Sequence, residues 1–298
     1  MKGWKTILSD VGLLYAAAIW GATFFMVKDV LRHVSPLGLL GYRFLLAALL
    51  MLVLLLILKR NPFSNWKQGL ILGFFLWTIY VPQTIGLKFT TASNSGFITG
   101  LFILFVPIFS FIFLKNVPSK MKLLSVGLAV SGLLVLTGGL HDANFGDFLT
   151  LFAAMGYAIH ILVADHYMKS GSDPFVLNFQ QMLVVGLLSV FAGFSNAASL
   201  ACNWRAALGV ILFLAVFPTV SAFIIQLVAQ RHTAPVKVAI IFSMEPVFAA
   251  LFAWTLGNEI LVPNRALGGL LIVAAMLLSE FPLGRKERDK LHPETAPH

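Results

Sequence analysis

Along the chain, apolar residues come in runs of about twenty separated by short polar stretches, not in the two-residue alternation of a half-buried strand. A hydrocarbon core about 30 Å thick needs a helix of about twenty residues to cross it. Read at that length, the pattern predicts ten membrane-spanning helices over residues 11–31, 36–58, 67–88, 92–114, 121–140, 146–167, 174–194, 206–229, 236–256 and 264–281. The expected fold class is therefore an all-α membrane protein. Runs this long and continuous point away from a transmembrane barrel, whose strands read as segments of about ten residues with alternating polarity. The connections are short and show no low-complexity composition, so one bundle is expected without a separate soluble domain. Residues 1–5 are mildly basic, but the first run keeps Lys28 and Asp29 and lacks a small-residue cleavage site. It is expected to remain as the first helix.

Composition agrees with this pattern: 59% of residues are hydrophobic and 11% charged, against about 45–50% and about 25% in soluble domains. The net charge of +9 would suggest nucleic acid if it were clustered on a soluble surface. Instead it follows the connections. With the N-terminus inside, Lys2, Lys5, Lys59, Arg60, Lys67, Lys115, Lys120, Lys122, Lys169, Arg231, Lys237 and the basic tail 282–298 fall on the cytoplasmic side. The opposite side holds Arg32, Lys88, Arg205 and Arg265 near helix ends, with Asp142, Asp147 and Glu259. This positive-inside distribution sets both termini in the cytoplasm of a multi-pass cytoplasmic (inner) membrane protein. The basic residues are thus accounted for by the lipid bilayer, and no nucleic-acid partner is expected. Cys202 is the only cysteine and falls in an external connection, where no internal disulfide is open to it.

The polar and aromatic landmarks recur. "FVPIFSFIF" (105–113) and "MEPVFAALF" (244–252) share Pro, then Phe two residues on, then Phe four further on. "IWGATFF" (19–25) aligns with "AMGYAIH" (154–160), pairing Gly21 with Gly156, and "VSPLGLLGYRF" (34–44) resembles "SDPFVLNFQQM" (172–182). Gln83 pairs with Gln226 and Lys88 with Arg231. The order of these matches is preserved, which divides the chain into five-helix repeats, 1–140 and 141–281, followed by the tail 282–298. An odd number of spans per repeat places the second repeat upside down relative to the first. Inverted repeats supply two near-equivalent arrangements facing opposite sides, the basis of alternating access.

Residues of both repeats resemble the drug/metabolite transporter superfamily in its EamA-type, ten-helix branch. The resemblance covers nearly the whole chain and is carried by "IWGATFF" (19–25), "YRFLLAALLM" (42–51), "GLKFTTASNSGFITGLFILFVP" (86–107), "APVKVAIIFSMEPVFAALFAW" (234–254) and "ALGGLLIVAAML" (266–277). It implies a secondary transporter of small organic solutes, commonly an exporter of amino acids, metabolites or drugs. It also implies a central cavity lined mainly by helices one, three, four, six, eight and nine. The Gly-Glu pair usual before helix five is replaced here by "LKNVPSK" (114–120), so any role of that acid in the first half is missing.

Glu245 lies eight residues from Lys237, about 12 Å deep at the rise of a helix. An ionised carboxylate at mid-bilayer costs about 2.5–3.5 kcal/mol on insertion scales. It should therefore face the bundle interior, pair, or hold its proton. Two roles are open: a proton carrier during transport, or a brace for the helix that Pro246 kinks by removing a backbone donor near Phe242. Arg43, about 10 Å from the external end, either binds a substrate carboxylate, snorkels outward, or pairs with an acid such as Asp29; the structural readings are preferred.

Gln83 and Asn94 are expected toward the outer mouth and Gln181 and Gln226 toward the inner one. Such amides hydrogen-bond a zwitterion's ends or simply join helices. Trp20, Tyr80, Tyr157 and His160 fall at depths where a cavity would lie; flat rings suit aromatic or cationic solutes, though packing is the commoner use. The substrate-binding candidates are thus Trp20, Tyr80, Gln83, Asn94, Tyr157, His160, Gln226 and Glu245, with Arg43 and Pro246 structural.

His160, Asp165 and His166 do not share one helical face, so no metal is expected. "GFITG" (96–100) reads as a small-residue pair for close helix approach. No nucleophile with a base, no paired carboxylates and no phosphate-binding glycine loop is present to support an enzyme, a cofactor or an ATP-driven pump. No ring of like charges suggests a channel.

The expected function is a secondary-active exporter of small-molecule solutes, most simply amino acids or related amphipathic metabolites, with or without proton coupling. A lipid flippase or multidrug exporter of the same superfamily is the nearest alternative. A bundle of this kind is compatible with a homo-oligomer.

Overall fold

The computed structural model describes residues 2–114, 120–137, 143–194, 200–231, 238 and 241–280. Lys115, Asp142, Lys237 and the tail 282–298 of the charge pattern lie outside these residues.

Helices α1 (Lys2–Val30), α2 (Pro36–Ile57) and α3 (Trp66–Gly86) are followed by α4 (Ala92–Gly100), α5 (Phe102–Leu114) and α6 (Lys120–Thr137). Then come α7 (Phe145–Lys169), α8 (Pro174–Gly193) and α9 (Trp204–Leu214), a π-helical turn (Ala215–Ser221) and α10 (Ala222–Gln230). The described chain ends with α11 (Glu245–Thr255) and α12 (Pro263–Glu280). Among the described residues there is no extended strand. Within the described residues, six stretches are long and apolar enough to cross a bilayer alone, and shorter apolar helices add to them. The ten-helix reading fits this order.

Local sequence sets several helix starts. Ser35 accepts a hydrogen bond from the Gly38 amide with Pro36 beginning α2, and Asp173 does the same for Phe175 and Val176 ahead of Pro174 in α8. These are side-chain caps followed by a proline in the first turn, where its missing donor costs nothing. Asn144 and Asp147 satisfy each other's backbone amides in a reciprocal capping box at the start of α7.

Three expected spans are interrupted. The run over 92–114 is two helices, because the backbone tightens at Leu101, whose amide bonds to Ile98 three residues back at 3.1 Å. The run over 206–229 widens into the π-helical turn around Pro218, which has no amide to offer. The helix of Glu245 restarts at that residue, after a turn at Ser243 and Met244, because Pro246 cannot continue the hydrogen bonding of the preceding segment.

The chief packing partners join residues before 138 to residues after 144: α6 with α12, α2 with α8, α3 with α7 and α8, and α1 and α4 with α11. The two parts of the chain therefore interleave in one bundle. Small residues allow the closest of these contacts. A Cβ on Gly96 would lie 2.4 Å from the Cβ of Ala249, and one on Gly100 would lie 2.4 Å from the Met276 Cε. The "GFITG" pair of α4 thus faces α11 and α12 at close range. Gly21 of α1 approaches the same helix, within 2.9 Å of the Glu245 carbonyl for an added Cβ.

The two ends of the bundle are tied across the parts. At one end Lys28 Nζ donates to the Thr90 carbonyl, and Thr90 Oγ1 donates to Asp147 at 2.5 Å. Glu259 accepts from the Ala92 amide at 2.5 Å and from Ser93 Oγ at 2.7 Å, capping α4 from the connection before α12. A bridge between Val34 and Cys202 closes the same end, leaving Cys202 half-buried. At the other end Arg60 meets Asp173 at 2.6 Å, Ser172 Oγ donates to Gln68 at 2.7 Å, and Arg231 donates to the Ser172 carbonyl.

Candidate functional site

Between these ends a cavity of about 30 Å3 sits where α1, α3, α7, α10 and α11 converge. Two of these helices contribute residues one turn apart: Trp20, Thr23 and Phe24 from α1, and Leu76, Ile79, Tyr80 and Gln83 from α3. Tyr157, Phe223 and Glu245 complete the wall. A space this small holds a water or two. The cavity lies between two ends of the bundle that are each tied by hydrogen bonds or an ion pair.

Glu245 reaches the cavity because it opens α11, where the break before Pro246 places it at a helix start inside the bundle. It is 4% exposed, and among the described residues its Oε2 has no hydrogen-bond partner. Among the described residues no cation pairs with it. A carboxyl so placed can hold a proton or receive a cationic group, since burying the charge alone is costly.

The π-helical turn positions the two sides of the aromatic wall. Trp20 Nε1 donates to the Pro218 carbonyl at 2.7 Å, which fixes the indole among Phe223, Phe242 and Tyr157 at centroid distances of 5.1, 5.2 and 6.4 Å. On the next residue, Thr219 Oγ1 donates to the Leu214 carbonyl and accepts from Arg43 Nε, both at 2.7 Å. The Arg43 guanidinium lies 5.0 Å from the Tyr80 ring centroid and 5.1 Å from that of Phe44. It is 1% exposed, so it does not snorkel. Nor does it pair with Asp29, whose carboxylate lies near exposed Arg32 at 3.7 Å. Hydrogen bonding and ring contacts hold Arg43 within the bundle, behind Tyr80, in place of an outward reach or a pairing with Asp29.

Of the residues singled out from sequence, Trp20, Tyr80, Gln83, Tyr157 and Glu245 share this cavity. Gln83 is oriented by donating to Thr99 Oγ1 at 3.0 Å. Asn94, His160 and Gln226 do not line it. Asn94 lines a separate hollow of about 250 Å3 with Glu259 and Arg265 at the end of the bundle. His160 Nε2 lies 3.1 Å from Gln181 Oε1, and its ring stands edge-on to Phe223 at 6.2 Å. Gln226 is buried on α10, one turn beyond Phe223. Asp165 pairs with Lys169 at 2.6 Å.

Thr23, Phe24, Leu76, Ile79 and Phe223 line the cavity without having been singled out. Their signal was helical spacing from an anchor: i+3 and i+4 from Trp20, i−4 from Tyr80 and from Gln83, and i−3 from Gln226.

The chain matches the profile of the EamA-like transporter family twice, over residues 7–138 and 144–281. An uncharacterized transporter of Archaeoglobus fulgidus is 34% identical over 286 residues, covering 93% of this chain and 87% of that protein. The uncharacterized transporter YyaM of Bacillus subtilis is 26% identical, over 89% of this chain and 91% of its own. The uncharacterized inner membrane transporter YedA of Escherichia coli is 25% identical over 92% of each chain. A solved crystal structure at 15% identity superposes with a TM-score of 0.65 over 91% of this chain and 96% of that one, a likeness of fold. With family profile, relatives and bundle in agreement, the chain belongs to the EamA-like transporter family of the drug/metabolite transporter superfamily and is a multi-pass membrane transporter.

Proposed function

We propose that this protein is a secondary-active exporter of small amphipathic metabolites, amino acids above all, and that it works by alternating access in the cytoplasmic membrane. Its halves act as inverted five-helix repeats, with both termini in the cytoplasm, and the cavity at Glu245 is the substrate site. The observation that carries the reading is that cavity: one carboxylate oxygen unpaired among the described residues and one amide, set in an aromatic wall between two tied ends. A carboxyl can receive a solute's ammonium, the amide of Gln83 its other polar group, and the rings of Trp20, Tyr80 and Tyr157 its apolar part. A wall this tight also requires the helices to part before a solute enters, which is what alternation provides.

Glu245 is the proposed proton site. Binding of the solute cation and of a proton at one carboxyl exclude each other, and this competition couples the two fluxes. The test is counterflow of a panel of labelled amino acids in proteoliposomes, with and without a pH gradient. A pH gradient is expected to accelerate wild-type exchange at least severalfold, whereas Glu245→Gln loses that acceleration. Exchange that ignores the gradient, together with normal transport by Glu245→Gln, removes the proton role.

A further inference from the structure

We propose that His160, Gln226 and Gln230 form a second, transient binding station for the transported solute, on the side of Phe223 away from Glu245. The proposal rests on the exporter reading above, including its orientation. Phe223 lines the cavity and stands at the head of a stripe on α10. Gln226 and Gln230 follow it at i+3 and i+7, about 4.5 and about 10 Å further along the axis. On α7, His160 follows the cavity residue Tyr157 by one turn in the same direction, and its ring lies against the edge of Phe223. Just beyond Gln230, Arg231 reaches the Ser172 carbonyl at the Arg60–Asp173 end of the bundle. The stripe therefore runs from the cavity to the end assigned to the cytoplasm.

Gln226 is 0% exposed and Gln230 2%. Among the described residues, both amide atoms of each, and Nδ1 of His160, have no hydrogen-bond partner. A buried polar group left unpaired costs about 1–3 kcal/mol, so leucine would serve packing better at either glutamine. Such a set is explained if the groups are satisfied in another conformation, when Phe223 moves aside and the stripe opens. They present amide donors and acceptors and an imidazole, with no fixed charge. This chemistry suits the polar head of a zwitterion and the waters that accompany it. Inversion supplies a separate argument: Gln83, the counterpart of Gln226 in the first half, lines the cavity here. If the repeats exchange roles, Gln226 lines it in the opposite-facing state.

Thiol accessibility tests this without any solute. In a Cys202→Ser background, Gln226→Cys and Gln230→Cys are compared with Leu227→Cys, an equally buried position on the same helix. An impermeant methanethiosulfonate applied to the cytoplasmic face is expected to modify both glutamine positions at least tenfold faster than the Leu227 position. Reaction no faster than at Leu227 overturns the proposal. A second measurement uses Gln226→Leu: thermal stability in detergent is expected to hold or rise while counterflow falls at least tenfold. A lower unfolding temperature for this variant, or undiminished counterflow, overturns it too. The thiol reaction is independent of the labelled panel, so failure of the panel alone counts against the amino-acid reading and not against the station.

Discussion

Glu245 and Arg43 are both buried inside the bundle, and among the described residues neither has an ionic partner. Their positions differ in a way that separates their roles. Glu245 faces the cavity with a free oxygen, whereas Arg43 is pegged by Thr219 and flanked by two rings. Removing the acceptor of a buried charged donor costs about 1.5–3 kcal/mol. Thr219→Val is therefore expected to lower the unfolding temperature by several degrees, while Thr219→Ser, which keeps the hydroxyl, restores it; a scan in detergent decides. At this scale the sequence was legible where polarity conflicted with the surrounding apolar run and where a Trp fell in mid-span away from the interfacial belt: Glu245 and Gln83 stood out for the first reason, Trp20 for the second. Phe223 and Leu76 did not, because an apolar residue among apolar residues carries no mark of which face it occupies. The particular partner of Arg43 was not legible, because its acceptor, Thr219, is distant in sequence and the bond depends on a π-helical turn.

Helices as elements were readable from run length, and their interruptions only in part. Pro246 announced the break at Glu245 and Pro218 accompanies the π-helical turn, but nothing in "GFITGLF" marks the tightening at Leu101. The glycines of that stretch did carry information, since Gly96 and Gly100 let α4 approach α11 and α12. Gly96→Ala would force a Cβ to within 2.4 Å of Ala249 Cβ, an overpacking that costs typically about 1–3 kcal/mol. The variant is expected to unfold at lower temperature, and adding Ala249→Gly is expected to recover part of the loss. An unchanged unfolding temperature for Gly96→Ala would mean that the helices part without cost, contrary to the packing described.

For the molecule as a whole, the sequence indicated a single bundle and its charge asymmetry; which helices pair across the two parts is a matter of long-range packing that hydropathy does not encode. The ends of that bundle carry its functional consequence. One is held by Glu259 on the start of α4, the other by Arg60 on Asp173, and the cavity lies between. The proposed alternating access requires each tie to open in turn. The direct test places cysteines at Ser93 and Glu259, or at Arg60 and Asp173, in a Cys202→Ser background, and bridges each pair with a short bifunctional thiol reagent. Bridging either pair is predicted to reduce proteoliposome exchange at least tenfold, with recovery on reduction; exchange that continues with both ends bridged would contradict the account.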